Sequence, residues 1–180
     1  LHSLNRRSLL KIRGGSGFSE HQVHECHGSI RHLQCMNECV SGVWSAEQFV
    51  PEVDADTCHL LNEPPACPVC GGLARPNVLM FGDWNWVSGR SDAQRRAETN
   101  WLSSHAQALP RLVIVEMGAG TAIPSVRRFS HRISQEYGAP IIRINPRESQ
   151  VPSSRDIGFA TGSVEALRGI DLAMENLADS

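Results

Sequence analysis

The sequence predicts an α/β fold, part of a parallel sheet covered by helices, with a small metal-held module set into it. Three observations predict it. The first is a continuous β-branched run, RLVIVEMGAGT at 111–121, that feeds directly into glycines. The second is the succession after that turn: SVRRFSHRISQEYG at helical spacing and ending on Gly138, a short β-branched strand in PIIRINP, and the amphipathic SVEALRGIDLAMENLA. Strand, helix, strand, helix in succession implies parallel strands joined by right-handed crossovers. The third is the stretch from Cys35 to Cys70, rich in Cys, Pro and acidic residues and short of core formers, which needs something besides hydrophobic burial to hold it.

Residues 1–17 are basic, end in a Gly/Ser cluster and show no sustained periodicity, so they read as a poorly ordered or foreign segment preceding a folded domain over 18–180. Residues 22–34 (QVHECHGSIRHLQ) alternate loosely around a His-Gly pair, which predicts a short strand before and after a turn at Gly28. The module, about 35–73, is inserted next. NVLMFGD (77–83) is an apolar burst closed by Gly82 and suits a buried strand. Residues 92–109 carry apolar and Ala positions at helical spacing, stopped by Pro110, and 149–156 form a polar loop.

Composition narrows the function classes. The chain has 180 residues, 41% of them hydrophobic, enough for one sizeable core and a minor lobe. A formal charge of −2, from 17 basic and 19 acidic residues, leaves neither the footprint of a nucleic-acid binder nor a polybasic membrane patch. No apolar run approaches the roughly 20 residues of a membrane span, and Leu1 to Arg13 lack a signal-peptide core, so a cytoplasmic protein is expected. In that compartment six cysteines read as thiols or metal ligands rather than disulfides.

Spacing selects four of the six. Cys35 and Cys39, then Cys67 and Cys70 in CPVCGG, make two close pairs on turns. Tetrahedral zinc needs four soft ligands about 2.3 Å away, and two such turns deliver them. Four thiolates leave no open position, so this zinc is expected to be structural. Cys26 and Cys58 are left as ordinary thiols, with Cys26 and His27 on opposite faces of a strand.

Catalysis must then lie elsewhere. His27 precedes Gly28 at a strand end, where a turn presents an imidazole to a cleft, and imidazole titrates where a general base should. His24 and His32 flank it, and spacing alone does not choose among the three. The glycines of MGAGTAIP would let backbone amides approach a phosphate or ribose, and Asn145 falls at the same sheet edge.

ECHGSIRHLQC, CPVCGGLARPNVLMFGD, VIVEMGAGTAIP and IIRINPRE, in that order, resemble the sirtuin family. The likeness runs from about Gly17 to Leu167. It implies a Rossmann-like sheet with a four-cysteine zinc module, and an NAD-dependent protein-lysine deacylase releasing nicotinamide and acyl-ADP-ribose. By the same resemblance His27 is the catalytic base, and Gly118, Ala119, Gly120, Thr121, Asn145 and Arg147 contact NAD, which is consumed as a co-substrate. Val78, Leu79, Phe81 and Gly82 pair with an extended acyl-lysine peptide as an added strand. The nucleotide turn departs from the family's G-T-S, and Asp83 stands where the family has Glu. The family's upstream G-A-G-[IV]-S and T-Q-N-x-D motifs find no match, so this chain alone is expected to bind NAD poorly, show no measurable deacylation and expose a sheet edge. Two alternatives stay open: a catalytically dead sirtuin-like binding protein and a sirtuin-like ADP-ribosyltransferase.

Overall fold

A computed structural model describes residues 18–39, 42–104 and 112–178. The expectation for 1–17, and the end of the helix expected to reach residue 109, lie outside the described residues. The chain divides into two compact units, Leu1–Leu102 and Ser103–Ser180.

The first unit is built on an antiparallel sheet: β1 (Gly28–Cys35) lies between β2 (Trp44–Ser45) and β3 (Ala74–Val78). Gly28 pairs with Val78 and Cys35 with Ala74, and the register slips between Ser29 and Leu33. Leu33, Cys35, Cys67 and Ala74 form its small buried core. Two amides share that interior. Asn77 donates through Nδ2 to Gln34 Oε1 at 2.9 Å and to the Val87 carbonyl at 2.9 Å, while Gln34 Nε2 donates to the Asn85 carbonyl at 2.7 Å. Each of these buried amides finds a partner, and the pair pins the 85–87 segment to the sheet. Helix α1 (Gly89–Ser104) comes next, starting three residues earlier than its periodicity suggests.

Two expectations for this unit are corrected. Among the described residues no strand precedes Gly28. Instead a 3₁₀ turn at Glu20–Gln22 leads to a turn in which the Gly28 N–H meets the Glu25 carbonyl at 2.9 Å. Nor is NVLMFGD a buried strand. β3 starts earlier, ends at Val78, and leaves Phe81 79% exposed. The Asp83 carboxylate folds the chain back, taking both oxygens onto Arg75 Nη2 at 2.8 and 2.7 Å.

The second unit holds the parallel sheet. β4 (Ile114–Met117), β5 (Ile141–Ile144) and β6 (Ile157–Phe159) lie side by side in that order. Helix α2 (Ser125–Tyr137) joins the first two, packs on both, and ends at Gly138, while α3 (Ser163–Ala178) closes the unit. Ile141 and Ile144 are fully buried. β6 has no apolar run to announce it, since Ile157, Gly158 and Phe159 are exposed or half-buried. Buried Asp156 ties its start to β5, accepting from the Ile141 N–H at 2.8 Å and the Ser153 hydroxyl at 2.7 Å.

On the buried side of this sheet two charges meet. Glu116 and Arg143 are cross-strand partners, with Arg143 Nε 2.6 Å from Glu116 Oε1 and the glutamate side chain wholly inaccessible. Their apolar neighbours in sequence conceal a pairing that only the register creates.

Candidate functional site

The four cysteines converge as their spacing predicts. Cys35, at the end of β1, and Cys67, before the knuckle turn, are buried, while Cys39 and Cys70 close the cluster from outside. Their sulfurs all lie within 4.8 Å of one another, with Cys39–Cys35 at 3.4 Å, Cys39–Cys67 at 3.5 Å and Cys35–Cys70 at 3.7 Å. A zinc bonded at about 2.3 Å to each corner of a tetrahedron requires sulfurs about 3.8 Å apart, so the donor set fits this ion. The knuckle is shaped by the backbone: the Gly71 N–H reaches the Cys67 carbonyl at 2.9 Å and the Cys67 N–H the Gly72 carbonyl at 2.7 Å. The backbone N–H of Cys39 draws the Cys35 thiol down to about 6, and that of Cys70 lowers Cys67, while the neighbouring Cys70 and Cys35 sulfurs push the Cys39 thiol up. Thiolates at neutral pH are what the metal requires. Cys26 and Cys58 stand outside the cluster.

His27 occupies the turn just before β1, exposed, and Cys26 shares that turn rather than an opposite strand face, its Sγ 3.7 Å from His27 Nδ1. Burial pushes the Cys26 thiol up, so it stays protonated. The three candidate histidines now separate. His24 is engaged through Nδ1 with Glu98 of α1 at 2.9 Å, and His32 lies half-buried within β1. The segment before His27 is held to the same helix, the Glu25 N–H meeting Gln94 Oε1 at 2.9 Å and the Glu25 carboxylate pairing with Arg90.

Register then joins the histidine to the residues expected to bind peptide. The Leu79 N–H donates to the His27 carbonyl at 3.0 Å, and Val78 lies opposite Gly28. Gly28 has φ +76, and a Cβ there would fall 2.0 Å from the Asn77 carbonyl oxygen, so the close approach of the two strands requires glycine. β3 is an edge strand, with Val78 at its end; Leu79 comes directly after it, and Phe81 and Gly82 lie on the turn beyond. Burial pushes the Asp83 carboxyl up, but the Arg75 guanidinium together with the N–H groups of Met80 and Asn85 holds it below its ordinary value. Neither Arg75–Asp83 nor Gln34–Asn77 carries a signal in the sequence that marks it as a pair.

In the second unit the turn Gly118–Thr121 leaves the C-terminal end of β4, next to Asn145 at the end of β5. Asn145 Nδ2 donates to the Ala119 carbonyl at 3.1 Å, and its Oδ1 accepts the N–H groups of Arg147 at 2.9 Å and Glu148 at 3.0 Å. Asn145 therefore shapes both arms of this edge, while Arg147 is exposed and enters through its backbone. Glu148 grips Thr121 through its N–H at 2.8 Å and its hydroxyl at 2.7 Å, which lowers the Glu148 carboxyl. Arg127 braces the same turn, its Nε 3.0 Å from the Ala119 carbonyl and its Nη2 2.5 Å from that of Glu148. Glu148 and Arg127 were not expected; the signal for them was the charge left within IRINPRE and at the start of the helix after the turn.

Comparison with known proteins agrees with this arrangement. The Sir2 family model matches residues 10–99. An NAD-dependent protein deacylase of Aquifex aeolicus is 28% identical over 149 residues, 83% of this chain and 53% of that protein. NAD-dependent protein deacylase 2 of Pyrobaculum aerophilum is 29% identical over 136 residues, 75% of this chain and 45% of that protein. The chain thus spans about half the length of the curated relatives it matches. Among solved structures, Sir2Tm bound to a propionylated peptide shares the fold, with TM-score 0.50 and 19% identity over 88% of this chain and 57% of the other. With the match covering half of its residues, the chain belongs to the Sir2 family.

Proposed function

We propose that the protein is an NAD-dependent protein-lysine deacylase in which residues 18–180 form the C-terminal part of the catalytic domain, with the zinc module inserted at about 35–73. The observation that carries this reading is the bond between the His27 carbonyl and the Leu79 N–H, because it sets an exposed imidazole beside the edge strand that would take the peptide. Val78, Leu79, Phe81 and Gly82 are assigned to the peptide backbone. Gly118, Ala119, Gly120, Thr121, Asn145 and Arg147 are assigned to NAD, as similarity to the named relatives supports.

In this reaction the acyl oxygen of the substrate lysine attacks C1′ of the nicotinamide ribose and nicotinamide leaves. His27 takes a proton from a ribose hydroxyl, so that the 2′-oxygen attacks the alkylamidate, and water completes the release of lysine and acyl-ADP-ribose. Zinc, held by Cys35, Cys39, Cys67 and Cys70, supplies a structural cross-link in place of the core that the module lacks.

The test is nicotinamide release from NAD with an acetyl-lysine peptide, followed in the native protein and in His27→Tyr. The variant should lose turnover and keep its NAD affinity, since the base acts after the cofactor is bound. Retained turnover removes His27 from this role. Mass analysis separates the rivals: ADP-ribose on a protein acceptor marks a transferase, and peptide binding without nicotinamide release marks a binding protein.

A further inference from the structure

A cavity of about 300 Å³ opens between α2 and the loop after β5, lined by Arg127, Arg128, His131, Arg143, Gln150, Val151 and Pro152. It lies at the small end of ligand sites, and no carboxylate lines it. Three of its seven lining residues are arginines, in a chain with 17 basic residues among 180.

Its two inner arginines are fixed before any ligand arrives. Arg143, 7% exposed, is held by Glu116 and by the Gln150 carbonyl, and Arg127, 13% exposed, by the Ala119 and Glu148 carbonyls, with the Glu116 and Glu148 carboxylates 3.9 and 3.5 Å away. A guanidinium carries five N–H donors, and these contacts leave donors on both side chains unspent. In Arg127 the whole Nη1 group enters no hydrogen bond among the described residues. At the rim, one helical turn apart on α2, the exposed Arg128 and His131 side chains make no hydrogen bond or ion pair among the described residues. Four basic side chains thus line one hollow, two of them anchored and two uncommitted.

We propose that this cavity is a binding site for a phosphate-type oxyanion, gripped by Arg128 and His131 at the rim and by the spare donors of Arg127 and Arg143 within. Planar guanidinium forks match the oxygen spacing of a phosphoryl group, and anchored ones lose little freedom on binding. The site is separate from the Gly118–Thr121 turn, although Arg127 touches both, and it does not depend on the deacylase reading.

Isothermal titration of the purified protein with inorganic phosphate tests it, with chloride holding ionic strength constant so that diffuse charge is screened equally throughout. The expected result is saturable one-to-one binding, weakened at least tenfold in the double variant Arg128→Gln, His131→Gln. Both side chains are exposed, so the variant folds, and matching circular dichroism checks that it has. Arg95→Gln, removing an exposed arginine of α1, should leave binding unchanged. A parallel titration with ribose 5-phosphate separates two sources of the ligand. Tighter binding than phosphate, lost in the same double variant, assigns the site to a phosphoryl group on a larger molecule; equal or weaker binding assigns it to the free anion. Absence of saturable binding of either probe, or equal binding by wild type and the double variant, overturns the proposal.

Discussion

Replacing Gly28 by Ala should cost far more than a glycine-to-alanine change elsewhere in the same unit. At φ +76 an L-residue pays about 1–2 kcal/mol for the left-handed conformation alone. The added Cβ would also sit 2.0 Å from the Asn77 carbonyl oxygen, where ordinary contact begins at 3.4 Å, so β1 and β3 must part by more than about 1 Å. That breaks the Leu79-to-His27 hydrogen bond and the neighbouring ladder bond at Ser29–Asn77, each contributing about 0.5–1.5 kcal/mol. The total is roughly 2–5 kcal/mol. Gly82 is the internal control: its φ is +68 and a Cβ there meets nothing within 4 Å, so Gly82→Ala should lose only the conformational part, about 1–2 kcal/mol. Urea unfolding followed by circular dichroism, with zinc content checked in each sample, gives both values from midpoints at a common slope. If the two variants lie within about 0.5 kcal/mol of each other, the strand contact does not constrain position 28 and the reasoning fails.

Three further outcomes are expected. Metal analysis should find one tightly bound zinc per chain, and Cys67→Ser should unfold the module, because ligation in small sites supplies on the order of 10 kcal/mol; a protein free of zinc, with four titratable thiols, would contradict this. Arg143→Met should destabilise the second unit by about 3 kcal/mol, because the inaccessible Glu116 carboxylate loses its 2.6 Å partner and keeps only Arg127 at 3.9 Å, and adding Glu116→Leu should restore much of the loss in thermal unfolding; an additive double variant would show that the pair is not coupled. Burial pushes the Asp156 carboxyl up, but the Ile141 N–H and the Ser153 hydroxyl hold it below its ordinary value of 3.8. A lowered carboxyl stabilises the fold above that ordinary value and loses its effect as pH falls through the lowered one. The stability gap between wild type and Asp156→Asn should therefore be full at neutral pH and close below pH 3.8, and a gap independent of pH would refute the assignment.

The sequence by itself determined the elements whose signal is local. The parallel strands at 114–117 and 141–144, helix α2 with its stop at Gly138, helix α3 over 163–178 and the four-cysteine cluster were all legible, because periodicity, helix stops and ligand spacing act over a few residues. The family was legible too, since its motifs stand in order along the chain. Less could be read where a distant partner decides the outcome. NVLMFGD looks like a buried strand until Arg75 claims Asp83 and turns the chain after Val78. β6 has no apolar pattern of its own and exists because the end of β5 offers it a parallel ladder. Three histidines at similar spacing are equivalent in sequence, and only the fold sends His24 to Glu98 while leaving His27 on an exposed turn beside Leu79. Glu116 and Arg143 each look like an interruption of an apolar strand. They become one buried ion pair because parallel pairing sets them opposite each other, and register is a property of two strands, carried by neither alone.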